Sequence, residues 1–346
     1  MSRPAFPRDL VLAMGLCACA TGSDKDPAGA GPTETGEAGP STFRVVFIAD
    51  THVIGPQYAC CSESEGLDND SIMQTPDRLA AVRDAVNALD PQPDLVFVLG
   101  DVVHNAHVFE TADEYTADET GWSVAADLFD GFEAPVHLVW GNHDYAVSCD
   151  PARPQFSASF THALFDHFFA APPTEVVDHK GWRFILTNSQ LGPTWTPGDP
   201  LCNTGLASYG RTQLGWIDAQ LADGLPSIVM AHYYLAVTES DEDPTGPYPG
   251  LGDVLAAHDN VKLFLAGHMH RWIDGREGTD VPQVVLGATR YDTDNFWLFE
   301  FEEGGDSFSI IDEEKPRWYT TCADTWTYGA PPGPDPTAVE QGDCSG

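Results

Sequence analysis

Seven residues of this chain carry side chains suited to holding hard or borderline divalent cations: Asp50, His52, Asp101, Asn142, His232, His268 and His270. They occur in five short segments, Asp50-Thr51-His52, Gly100-Asp101, Gly141-Asn142-His143-Asp144, His232, and Gly267-His268-Met269-His270. Carboxylate, imidazole and amide donors in that number suit two metal ions. Two ions a few ångströms apart are the usual equipment for hydrolysing a phosphate ester. Each segment alone has an ordinary reading, because Asp at a strand-to-loop junction is common turn chemistry. The pattern lies in all five following apolar runs in one chain.

Those runs have to position the donors. Apolar stretches rich in Val, Ile and Phe cover 43–49, 95–99, 136–140, 182–187, 228–231, 261–266, 283–286 and 296–301. Near-continuous apolarity over such lengths predicts strands covered on both faces. Ligands in open α/β sheets bind beyond the carboxyl ends of the strands, which is where the donors fall. In an extended segment, residues two apart project the same way, so Asp50 with His52, and His268 with His270, are expected to face one ion as pairs. Thr75-Pro76 reads as a helix cap followed by a first-turn proline. Leu79, Val82, Val86 and Leu89 then mark one apolar helical face, and Leu214, Ile217 and Leu221 mark another. Alternating strands and helices predict an α/β domain over 43–316. The late strands, with no clear helices between them, predict a second, more antiparallel sheet. The stretch 317–346 reads as a Cys-containing tail on the domain surface.

Taken in order, Asp-x-His, Gly-Asp, Gly-Asn-His-Asp, His and Gly-His-x-His resemble the calcineurin-like metallophosphoesterases, over residues 45–270. The resemblance implies a four-layer α-β-β-α sandwich of two mixed sheets flanked by helices. It implies one metal held by Asp50, His52, Asp101 and His270, and a second held by Asp101, Asn142, His232 and His268, with Asp101 bridging through its two oxygens. The ions would be iron, manganese, zinc or magnesium. A water between them would attack phosphorus in a small phosphate ester, monoester or diester. His143 resembles the family's leaving-group acid, and Asp144 would orient its imidazole. His104 is expected either to touch substrate or to be a surface loop residue. The presence of His52 argues against the iron-tyrosinate site of purple acid phosphatases. His107, His162 and His167 fit no ligand slot.

Fifty-three acidic residues against 16 basic give a net charge of -37. Such a field repels nucleic acid and anionic membranes, so no nucleic-acid partner is expected. Arg3 and Arg8 precede a short apolar run ending in Leu16-Cys17-Ala18-Cys19, which resembles a bacterial lipobox. The reading is a signal peptide over 1–19, lipidation of Cys19 as the membrane anchor, and a flexible tether over 20–42, too polar to offset its ordering entropy. The rival is an ordinary cleaved signal without lipid. The other six cysteines, Cys60, Cys61, Cys149, Cys202, Cys322 and Cys344, suggest disulfides in an exported protein. Cys322 with Cys344 and Cys149 with Cys202 are the two expected pairings. The functional alternative to an exported hydrolase is a non-catalytic surface lipoprotein that keeps the fold for binding. Such a descendant is expected to lose ligands, and none is missing.

Overall fold

The computed structural model describes residues 41–58, 71–106, 108–150, 152–153, 157–235, 242–243, 246–275, 281–311, 317–320 and 326–329. The signal peptide, the tether up to residue 40, Cys60, Cys61, His107, Cys322 and Cys344 lie outside them.

Three apolar cores separate four layers, and alternation along the strands sets which core each side chain enters. In β1 (Thr42–Ile48), Val45 and Phe47 point into a core between two sheets, while Val46 and Ile48 point to the opposite side. That opposite side is covered by the helices Thr75–Asn87, Gly121–Phe129 and Ala158–Phe169, through Leu79, Val82, Trp122, Phe129, Leu164 and Phe165. The second sheet repeats the pattern. Ile228 and Met230 of β6 (Ser227–Met230) join the inter-sheet core, and Val229 faces the helices Gly210–Leu221 and Leu251–Ala256. Buried on both faces, these strands are apolar at nearly every position.

The first sheet has the order β13-β12-β1-β2-β3, with β2 Leu95–Leu99, β3 Val136–Val139, β12 Phe296–Glu302 and β13 Phe308–Ile310. β1, β2 and β3 are parallel, and β12 runs antiparallel to β1 from Thr42↔Glu302 to Ile48↔Phe296. The second has the order β10-β11-β9-β6-β5-β4, with β4 Glu175–His179, β5 Trp182–Leu186, β9 Val261–Ala266, β10 Ile273–Gly275 and β11 Gln283–Val285. β5, β6, β9 and β11 are parallel, and the edge strands β4 and β10 antiparallel. Two short hairpins, β7 (Glu242–Asp243) with β8 (Gly246–Pro247) and β14 (Arg317–Thr320) with β15 (Trp326–Gly329), complete the described strands.

The sandwich of two mixed sheets is the one expected, with two differences of detail. The second sheet is mainly parallel rather than antiparallel. The late strands β12 and β13 return instead to the first sheet, where β12 is interior; Phe296, Leu298, Trp297, Phe299 and Phe301 meet cores on both of its faces. At the first helix, Gln74 occupies the cap position. Thr75 is already helical, and its hydroxyl donates to the Ile72 carbonyl at 2.8 Å. Its apolar face is as expected, while Leu89 packs on the core from beyond the helix end.

Candidate metal centre

All five donor segments leave carboxyl ends of parallel strands at one rim of the sandwich. Asp50, Asp101 and Asn142 follow β1, β2 and β3 of one sheet, and His232 and His268 follow β6 and β9 of the other. The loops are laced together by main-chain bonds. His52 N donates to Asp101 O at 2.8 Å, Asp50 N to Gly100 O at 3.1 Å, and Gly267 N to His232 O at 3.0 Å.

The backbone here is left-handed. Asp50 (φ 51°), His52 (48°), Asp101 (49°), His268 (70°) and His270 (55°) all have positive φ, shared by only two other non-glycine residues among those described. Each such residue costs of order 1–3 kcal/mol and persists where the surroundings over-determine it, as at functional sites. The two Asp/His and His/His pairs are therefore not extended segments with parallel side chains. They converge through tight left-handed turns. Gly100 (φ 85°) prepares one of these: a Cβ there would lie 2.5 Å from the His232 ring nitrogen Nδ1.

Donor atoms of Asp50, His52, Asp101 and His270 all lie within 4.8 Å of one another. His52 Nε2 is 3.0 Å from His270 Nε2 and 3.4 Å from Asp101 Oδ2, and His270 Nε2 is 3.4 Å from Asp50 Oδ1. Beside them, Asn142 Oδ1 is 3.0 Å from both His232 Nε2 and His268 Nδ1, and His232 Nε2 is 3.3 Å from Asp101 Oδ2. Asp101 Oδ2 thus faces both groups. Its Oδ1 accepts the His143 amide at 2.8 Å. Asp101 thereby places one carboxylate oxygen between the two donor groups and the other on the His143 amide. Nitrogen and oxygen lone pairs converging in this way fit two cations. His232 Nδ1–H donates to Leu99 O at 2.8 Å, which leaves Nε2 as a lone-pair donor.

Charge in this cluster is distributed unevenly. Burial alone would lower His232, but the Asp101 carboxylate prevails and pushes it up to about 9. Burial and the neighbouring His232 bring His268 down to about 4. Burial holds His52 well below the usual imidazole range despite Asp101.

His143 lies beside this cluster with its ring edge-on to His52, at 4.7 Å between centroids. Its Nδ1–H donates to the His104 carbonyl at 2.7 Å. Asp144 does not orient that imidazole. Its Oδ2 accepts Gly141 N at 2.7 Å and its Oδ1 accepts Val103 N at 2.9 Å, so it pins two donor loops together from a fully buried position. Burial and the nearby Asp101 raise its pKa, against the pull of those amides. His104 stacks on His143 at 5.1 Å and sets its Nδ1 3.2 Å from His52 Nδ1. It also lines a cavity of about 210 Å³. His162 meets the Tyr145 hydroxyl at 3.2 Å and His167 packs on Phe168, both away from the donors. Sequence reasoning passed over Tyr233, whose ring stacks on His268 at 4.0 Å, and Arg290, whose amide donates to Asp50 O at 3.1 Å. Adjacency to His232 marks the first; nothing in the spacing marks the second.

The family model for calcineurin-like phosphoesterases matches residues 43–272. The chain belongs to this family. Calcineurin-like phosphoesterases are a dinuclear metal-dependent family, and membership makes this protein a hydrolase acting on phosphate esters. It is 26% identical over 257 residues to a Synechococcus sp. protein named as a probable cyclic nucleotide phosphodiesterase, covering 72% of this chain and 83% of the relative. It is 23% identical over 291 residues to Metallophosphoesterase 1 of Ailuropoda melanoleuca, covering 73% and 67%. Among solved structures, a dimetal phosphatase from Danio rerio superposes with a TM-score of 0.50 at 19% identity, covering 75% of this chain and 93% of that one. That likeness concerns the fold.

Proposed function

We propose that this chain is an exported phosphoesterase in which Asp50, His52, Asp101 and His270 hold one metal ion and Asp101, Asn142, His232 and His268 hold the other. The observation that carries the reading is Asp101 Oδ2, within 3.4 Å of His52 Nε2 and 3.3 Å of His232 Nε2, one from each group. When bound, two ions of iron, manganese, zinc or magnesium supply Lewis acidity at the attacking water and the phosphoryl oxygens.

The protein's own residues supply the rest. A water oxygen forms the new bond to phosphorus while the ester P–O bond breaks. His143, protonated on both ring nitrogens and keeping Nδ1–H on the His104 carbonyl, passes its Nε2 proton to the departing oxygen, while the attacking water gives up a proton to solvent and the ring is reprotonated from solvent after turnover. Asp144 keeps the Gly141 and Val103 loops in register. Small phosphomonoesters and phosphodiesters are both proposed substrates; a relative named as a probable cyclic nucleotide phosphodiesterase supports the diester class. Export and a lipid anchor at Cys19 rest on the leader and tether of the sequence. The disulfide between Cys149 and Cys202 supports export, since such bonds persist in oxidising compartments.

The test compares the wild type and His143→Ala on nitrophenyl and alkyl esters of both classes. His143→Ala should lose on the order of 10²–10⁴-fold in rate, the usual scale for general acid catalysis. The loss should be least for nitrophenyl esters, whose leaving group departs without a proton. An equal loss on every substrate would assign His143 to phosphate binding instead.

A further inference from the structure

Strand β3 (Val136–Val139) ends the first sheet, and β2 is its one neighbour there. Val96 N of β2 donates to Pro135 O at 2.9 Å, which fixes the phase of the ladder. Alternate residues of a strand turn their main-chain groups to opposite sides. His137 therefore turns to β2, whereas Val136 and Leu138 turn their N–H and C=O groups to the open edge. On that side neither has a hydrogen-bond partner among the described residues. Buried main-chain groups are nearly always paired, because an orphan costs about as much as a lost hydrogen bond. Leu138 is only 6% exposed, so its amide and carbonyl are such orphans. Both residues line a cavity of about 720 Å³, inside the range of roughly 300–1,000 Å³ usual for ligand sites. None of the metal donors lines it; the donor that β3 delivers, Asn142, follows the other end of the strand.

The two flanks of this edge differ in chemistry. Val136 and Leu138 pack on the core beneath the helices, and Phe168 and Phe169 join that core while staying half-buried. On the other flank the His137 ring lies against Phe97 of the inter-sheet core, at 5.4 Å between centroids. Its Nδ1 lies 3.1 Å from both carboxylate oxygens of Glu175. Asp130 and Glu133, both exposed, add two more carboxylates to the lining. Its nitrogen bases among the described residues are the His137 and His167 rings, with no Lys or Arg. A strand laid beside β3, at about 4.8 Å, would set alternate side chains on the two flanks. One set would meet Phe168 and Phe169, and the other would lie beside Glu175.

The charge decides between occupants. A second copy of this chain is a poor one, because edge-to-edge pairing would bring like carboxylates together in chains of net charge -37. A helix is no better, since its own main chain is already bonded. We propose that the β3 edge is a docking site for an extended segment of another protein, added as a further strand with apolar side chains against Phe168 and Phe169 and basic ones beside Glu175. The inference uses no metal donor and stands apart from the phosphoesterase reading.

Labelled hexapeptides, blocked at both ends, test it by fluorescence anisotropy on the full-length protein. One alternates lysine with valine and one alternates glutamate with valine. Two further lysine–valine peptides carry N-methyl groups, one on its valines and the other on its lysines. In a bound strand the amides of one residue type face β3 and those of the other face away. The lysine–valine peptide should bind at least about tenfold more tightly than the glutamate–valine one. One N-methylated form should lose about tenfold or more, while the other stays close to the parent. Val136→Pro removes an edge donor without touching the ladder to β2, and Glu133→Lys reverses an exposed charge; each should weaken the lysine–valine peptide several-fold, with circular dichroism confirming the fold. No binding of the lysine–valine peptide, equal binding of the two N-methylated forms, an equal or tighter grip on the glutamate–valine peptide, or wild-type binding by both variants would each overturn the docking assignment. So would a dimer of the free protein in sedimentation that Val136→Pro dissolves, which would give the edge to a second copy.

Discussion

A Cβ placed on Gly141 would lie 2.1 Å from the Asp101 amide nitrogen and 2.3 Å from its Oδ1. Both contacts involve the residue proposed to bridge the metals, and the backbone atom cannot swing away. Gly141→Ala should therefore push Asp101 out of place, costing about 1–3 kcal/mol of stability, the usual range for overpacking, and lowering metal content. Thermal unfolding and elemental analysis of the same preparation would measure both; an unchanged metal content would remove the close approach as a constraint. The donors themselves were legible because each lies in a short local motif after an apolar run. The role of Asp144 was not, because its partners, the Val103 and Gly141 amides, meet it only when β2 and β3 lie side by side. The left-handed backbone was equally hidden. Asp50 and His268 carry no local mark of positive φ, as a glycine would; the surroundings impose it.

Among the elements, the turn between β4 and β5 is held to the first sheet by Asp94. Its carboxylate takes the Lys180 ammonium at 2.8 Å, His179 Nε2 at 3.0 Å and the Arg44 amide at 3.3 Å. Partial burial would raise its pKa, but Lys180 and His179 outweigh it and hold the carboxyl below its ordinary 3.8. A depressed carboxylate contributes stability that is present above that value and is lost as the pH falls through the lowered one. Asp94→Asn should thus cost up to about 1 kcal/mol at pH 7, given the half-exposed partners. Urea unfolding should show the gap between wild type and variant closing as the pH drops below the ordinary carboxylate value; a gap that persists undiminished there would assign the loss to packing. The eight strands expected from the sequence all form within a residue or so, because burial on both faces leaves an unbroken apolar signature. β4 escaped notice because it is an edge strand of mixed, half-buried residues. The pairing of β12 with β1 was not legible, since an apolar run shows that a strand is covered without showing which neighbour covers it.

At the scale of the whole molecule, the proposal that the protein works outside the cytoplasm rests on the leader and the cysteines. The proposed mature chain starts at a lipidated Cys19, followed by the tether over 20–42 and the catalytic domain over 43–316. Mass spectrometry of the N-terminus should find the lipid on Cys19, and an unmodified chain starting elsewhere would refute the anchor. The pairing of Cys149 with Cys202 was expected from sequence and is present; that of Cys322 with Cys344 lies outside the described residues. The central claim is a two-metal cage that depends on Asp101, and the metal content of the purified protein tests it most directly. Elemental analysis should find about two ions per wild-type chain, as the two-metal mechanism requires, with both ions and the activity lost together in Asp101→Ala. A wild-type chain that binds at most one ion, or an Asp101→Ala variant that keeps two, would contradict it.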